Sequence, residues 1–196
     1  MTPETIILIA VVIVATIAVG WYAVQRRRSE SLRAQFGPEY ERTVEHASDR
    51  ARAEADLQER RERVDAFEIR PLGTAVHHRF SEEWASVQAM FVDDPAGAVE
   101  QADGLIGDVM RARGYPVGDF EQRAADVSVD HPTVVEHYRE AHAIAQASRD
   151  GNGDTEALRQ AFVHYRALFA DLLERAPARE RQGTTEKPLT RPRRAS

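Results

Sequence analysis

The sequence predicts an all-α protein: a single N-terminal transmembrane helix, a polar helical stalk, a small helical bundle and a disordered C-terminal tail. Three observations lead there. No charged residue occurs from Thr5 to Gln25, and Arg26, Arg27 and Arg28 follow at once. Further on, apolar residues recur three and four positions apart, the period of a helix buried along one face. No segment shows the apolar–polar alternation of a half-buried strand.

Residues 1–4 form a short N-terminus without a basic side chain. Residues 5–25 match a bilayer, because twenty helical residues rise about 30 Å, the thickness of the hydrocarbon core. Trp21 and Tyr22 fall at the edge of this run, where aromatic rings favour the headgroup layer. Residues 26–37 are a basic juxtamembrane segment carrying Arg26, Arg27, Arg28 and Arg33. The excess of basic residues on the cytoplasmic side predicts an inner-membrane protein with its N-terminus out and its C-terminal domain in the cytoplasm. A cleaved signal peptide would place its charges before a shorter apolar core, so the anchor is expected to stay. The bilayer is the partner of residues 5–25, with weak anionic-lipid contact expected through Arg26, Arg27 and Arg28.

Gly37-Pro38 interrupts the helix leaving the membrane. Residues 38–66 then read as the stalk, since neither glycine nor proline occurs from Glu39 to Ala66. Asp56–Arg60 and Glu59–Arg63 are favourably ordered i,i+4 pairs. Apolar positions are sparse: Tyr40, Val44, Ala47 and Ala51, then Leu57 and Val64. A coiled coil needs apolar residues sustained at its two seam positions, so the expectation is a solvated helix of roughly 43 Å, with a coiled coil as the alternative.

Residues 67–175 carry the bundle. Phe80, Trp84, Val87 and Phe91 line one helical face, and Asp94-Pro95 has the form of a cap and first residue of the next helix. That helix turns Val99, Ala102, Ile106 and Val109 inward and stops at Gly114. Asp119–Val127 is a short helix with Phe120 and Ala124 inward. Asp130-His131-Pro132 opens the next, with Val134 or Val135, Tyr138, Ala141 and Ala145 inward. After the Gly151-Asn152-Gly153 turn, Asp154 or Thr155 caps a last helix. There Leu158, Phe162, Tyr165, Phe169 and Leu172 make the broadest apolar face. Short connections predict an up-and-down bundle. Residues 176–196, rich in arginine, proline and threonine, are expected to be a disordered basic tail.

Composition excludes several chemistries. There is no cysteine, hence no disulfide, thiolate metal site or cysteine nucleophile. Residues 67–175 carry 10 basic against 19 acidic side chains, which argues against a nucleic-acid-binding body. Glu136 and Glu140 share a helix face, but His137 and His142 lie about 140° apart on a helix and cannot chelate together. No metal site, cofactor or catalytic constellation is expected. Asp126 and Asp130 read as turn and cap residues, His131 as a helix-entry residue, and Gly104 and Gly107 as marks of close helix packing.

The runs Val87–Pro95, Met110–Pro116, Gln122–Asp126, Asp130-His131-Pro132 and His164-Tyr165-Arg166 resemble an uncharacterised bacterial family of single-pass, membrane-anchored helical proteins. The resemblance covers about residues 80–170 and implies an anchor and a helical fold; it carries over no activity, ligand or catalytic residue. The leading expectation is a membrane-anchored cytoplasmic helical module that binds a protein partner, as a scaffold or adaptor. A second reading is a ligand-sensing bundle with its ligand near Trp84, Tyr115 and Tyr138. A third is an enzyme using His131 or His142 with Asp126 or Asp130.

Overall fold

A computed structural model describes residues 3–116, 118–151 and 154–174, with side chains from Val12 onward. The tail assigned to 176–196 and the Asn152-Gly153 tip of the predicted turn lie outside the described residues. Among the described residues there are eight α-helices and no strand: α1 (Pro3–Phe36), α2 (Pro38–His46), α3 (Arg50–Asp65), α4 (Thr74–Met90), α5 (Pro95–Arg113), α6 (Phe120–Asp130), α7 (Val135–Arg149) and α8 (Thr155–Glu174). The all-α bundle expected from the periodicity is what the chain forms. It divides into two compact units, Met1–Glu59 and Arg60–Ser196.

In the first unit, α1 runs without a break through the apolar stretch and the basic segment behind it. Among the described residues no helix is long and apolar enough to cross a membrane. The described side chains of α1 stay uncharged only from Val12 to Gln25, roughly 20 Å of helix against the ~30 Å of a hydrocarbon core. Gly37, at φ 49°, ends α1 and lets α2 start on Pro38.

The expected solvated rod is corrected here. Residues 38–66 break at Ala47–Asp49, where Asp49 accepts from the Arg52 N–H at 2.8 Å and starts α3. Leu32, Phe36, Tyr40, Ala53 and Leu57 are buried. Glu54, itself buried, joins three helices: it accepts from Ser29 Oγ at 2.9 Å, Tyr40 Oη at 2.7 Å and Arg50 Nε at 2.9 Å. Burial disfavours its charged form, yet these hydrogen bonds outweigh that and hold its pKa below the usual carboxylate value. Burial, then the hydrogen bond to Glu54, pushes the Tyr40 phenol up. Helical periodicity counts apolar residues and misses a carboxylate with three donors, so the stripe is thin in sequence and packed in the fold.

In the second unit the core lies among α4, α5, α7 and α8. Every inward residue expected on α5 is buried, as are Leu158, Phe162, Tyr165, Phe169 and Leu172 on α8. Trp84 of α4 stacks on Phe162 and Phe169, with ring centroids 5.1 and 4.5 Å away. Side-chain caps start three helices: Asp94 as the sequence placed it, Asp154 of the two residues it offered, and Asp119, which it took as the first residue of its helix. Asp94 accepts from Gly97 N at 2.9 Å, Asp119 from Gln122 N at 2.8 Å, and Asp154 from Ala157 N at 2.8 Å. α6 outruns its expected end at Val127 and reaches Asp130, so Asp126 and Asp130 are buried residues inside a helix rather than turn and cap residues. His131 ends α6 instead of starting α7.

Gly114 closes α5 in the left-handed region, at φ 100°. The chain at 68–70 crosses it: Arg70 N donates to Arg113 O at 2.8 Å, and a Cβ on Gly114 would sit 2.5 Å from Glu68 O. Gly104 was expected to mark close packing, but a Cβ there meets nothing within 4 Å, whereas one on Gly107 would lie 3.3 Å from the Arg123 guanidinium. Gly114→Ala is therefore expected to destabilise the second unit by about 1–2 kcal/mol from the backbone conformation alone. Gly104→Ala should be stabilising by up to about 1 kcal/mol. Thermal melts of the two full-length variants in detergent, shifting in opposite directions, check both.

Candidate functional site

Most of the buried polar groups of the second unit gather where α5 and α6 end. Asp126, fully buried on α6, accepts from Arg63 Nε and from Gln122 Nε2, each at 2.9 Å. Asp130, one turn further, accepts from Tyr115 Oη at 2.6 Å. Burial, and then the Asp130 charge, pushes the Tyr115 phenol far above its ordinary value, so it stays a hydrogen-bond donor. His131 is 1 % exposed and pairs through Nδ1 with the Asp171 carboxylate of α8. Nδ1 must carry the hydrogen to donate to that carboxylate. Arg113, the last residue of α5 and also 1 % exposed, donates from Nη1 to the Leu172 carbonyl at 2.6 Å. A cation on the last carbonyls of α8 is favoured by the orphaned acceptors there.

A second polar cluster lies between α5, α6, α7 and α8. Arg123 Nη2 is 3.8 Å from Asp103 Oδ2, and both side chains are largely buried. The Tyr138 and Tyr165 hydroxyls are buried and turned toward Asp103. Burial, and then the Asp103 charge, raises both phenols. His142 lies flat on Phe120, with ring centroids 3.6 Å apart and planes within 5°. Burial holds its pKa below the ordinary histidine value, and the Arg149 and Arg123 charges reinforce this against Asp103. A cleft of about 130 Å³ is lined by Glu100, Asp103, Ser148 and Arg149, among others.

These placements separate the residues that the enzyme reading combined. Asp126 faces Arg63, Asp130 faces Tyr115, His131 faces Asp171, and His142 lies on Phe120. The His131–Asp171 pair has the form of an imidazole oriented by a carboxylate. The other ring nitrogen, Nε2, is buried without a partner among the described residues. The residues of the ligand reading also part company. Trp84 stacks in the apolar core, Tyr115 is held by Asp130, and Tyr138 packs on Phe120 with centroids 4.9 Å apart. None of the three lines the 130 Å³ cleft.

Sequence reasoning missed Asp103, Arg123 and Asp171 as partners, because they meet the tyrosines and His131 across helices. It also missed His164. His137 and Glu140 of α7 and His164 of α8 bring one potential ligand atom each within 4.8 Å of one another. In the first unit a groove of about 530 Å³ is lined by Tyr22, Gln25, Arg26, Ser29, Glu30, Arg33, Arg50, Ala51 and Glu54. Each of its arginines meets a carboxylate: Arg26 with Glu30, Arg33 with Glu41, Arg50 with Glu54.

No protein-family model, curated protein or solved structure matches the chain. The resemblance drawn from the motifs within residues 80–170 thus gains no support from these comparisons.

Two outcomes follow from the buried groups. Tyr115→Phe leaves a buried Asp130 oxygen without its donor and should cost about 1–3 kcal/mol in a urea melt. For His142, the unfolded chain takes up a proton as pH falls through the ordinary value of 6.5 while the folded protein resists. The stabilisation is fully present above pH 6.5 and is lost on acidification through the lower folded pKa. Melting temperatures measured from pH 8 to pH 5 should fall less steeply for His142→Asn than for the parent chain; parallel curves would show that His142 titrates as in the unfolded chain.

Proposed function

We propose that the chain is a membrane-anchored helical module: its N-terminal helix sits in the inner membrane and its bundle binds a protein partner on the cytoplasmic side, as a scaffold or adaptor. The observation that carries this reading is the surface of α1. Val12, Ile13, Val14, Ile17, Val19, Trp21, Tyr22 and Val24 are each more than half exposed. A helix apolar all round belongs in a protein core or in lipid, and these side chains are exposed among the described residues. The uncharged run continues to Thr5 in the sequence, which gives α1 about 30 Å of apolar length. Exposed Arg26, Arg27 and Arg28 follow on the side that the positive-inside bias makes cytoplasmic.

A protein partner suits the bundle better than a small ligand does. Trp84, Phe162 and Phe169 fill the core with stacked rings, and the cleft beside Asp103, about 130 Å³, is well below the ~300–1,000 Å³ of ordinary ligand sites. The net charge of −9 over residues 67–175 favours a partner that presents basic groups.

The chain has no native cysteine, so single cysteines at Ser48 and Ser148 report topology directly. The protein should stay with membranes through an alkaline carbonate wash, and neither cysteine should react with an impermeant thiol reagent in intact cells. Release by the wash would remove the anchor, and labelling of both cysteines would put the bundle outside. Photo-crosslinking from the exposed positions Glu82 and Glu136 in native membranes should give a discrete heavier band. Its absence from both faces would count against a protein partner.

A further inference from the structure

We propose that His137, Glu140 and His164 form a surface site for a divalent transition-metal ion of the zinc class, bridging α7 and α8. The argument starts from helix geometry. Residues three apart share a helix face, so His137 and Glu140 present an imidazole and a carboxylate side by side. α7 packs along α8, and this brings His164 opposite them. Glu140 Oε2 lies 3.2 Å from His164 Nε2 and 3.7 Å from His137 Nδ1. Two donors on a tetrahedral ion, each ~2.0–2.1 Å from the metal, stand roughly 3.3 Å apart. Two edges of the coordination triangle are therefore close to that separation. The third, between the imidazoles, needs to close from no more than 4.8 Å. His137 and Glu140 are about half exposed, so their side chains turn into solvent without disturbing the core.

The donor set fixes the class of ion. Two imidazoles and one carboxylate suit zinc and its late first-row neighbours, whereas magnesium and calcium take all-oxygen sites. The two imidazole rings stack with centroids 4.8 Å apart and planes within 14°, next to a single carboxylate. An ion shared among the three uses both neutral rings as donors and the carboxylate as counter-charge. Three protein ligands leave at least one coordination position for water or for a donor atom of another molecule. The consequence is a clip between the last two helices of the bundle with one open corner.

The test uses the full chain in detergent, prepared without a polyhistidine tag, with Co²⁺ as the optical probe and Zn²⁺ as competitor. We expect visible Co²⁺ absorption that saturates at one equivalent, is displaced by Zn²⁺, and accompanies a rise of several degrees in melting temperature. His137→Ala, Glu140→Gln and His164→Ala should each weaken binding at least tenfold and leave the metal-free circular dichroism unchanged. The double variant His77→Ala/His78→Ala should bind as the parent does. Absence of saturable binding at millimolar Co²⁺, or binding unaltered in both His137→Ala and His164→Ala, would overturn the site.

Discussion

The apolar face of α8 is wider than any single neighbour can cover, and the bundle is arranged around that fact. Leu158, Ala161, Phe162, Tyr165, Leu168, Phe169 and Leu172 are all buried along it. Full burial of each large apolar side chain contributes about 1.5–3 kcal/mol, so leaving a strip of this face in water would consume most of the stability of a domain this size. α5 and α7 pack along α8, and Trp84 of α4 closes the remaining side with its stacked contacts to Phe162 and Phe169. α6 is packed against α7 and reaches the core with Ala124 and Val127.

Once these helices are placed, polar groups are drawn in at their ends, where backbone carbonyls and N–H groups lack helical partners. Arg113 reaches the Leu172 carbonyl, Tyr115 reaches Asp130, and His131 reaches Asp171. Each contact joins elements distant in sequence, and each protects a buried group that would be costly alone. Buried ionic groups are weak evidence for stability when compared with apolar replacements, yet removing one partner is severe. This network is accordingly read as a fastening of the bundle, with α6 and the segment after α5 held in register. Glu54 has the same role in the first unit, where three donors converge on one carboxylate.

The exposed face of α1 and the His137–Glu140–His164 cluster are opposite kinds of surface. On α1 the large side chains exposed between Val12 and Val24 are apolar. At the α7–α8 surface the residues are polar, His137 and Glu140 about half exposed and His164 less so, and what sets them apart is convergence. His137, Glu140 and His164 form a unit only because two helices lie side by side. Along α7 alone, His137 and His142 lie about 140° apart on the helix. His164, twenty-seven positions from His137, belongs to the next helix face and is invisible to a periodicity within α7.

The sequence by itself determined the all-α class, the inward residues of α4, α5, α7 and α8, the cap at Asp94, and a cap at Asp154 or Thr155. These follow from local physics: a 3.6-residue period and a side-chain oxygen within reach of the next backbone N–H groups. Only the tertiary structure decided the fate of Asp126, Asp130, His131, Tyr40 and Glu54. A carboxylate in sequence looks like a cap, a solvated charge or a buried acceptor according to which donor arrives from another helix. That arrival is set by packing, because helix-to-helix contacts depend on how the apolar faces mate and on where the chain crosses, as it does over Gly114. Local pattern determines which face turns inward; the mating of those faces decides which polar groups meet.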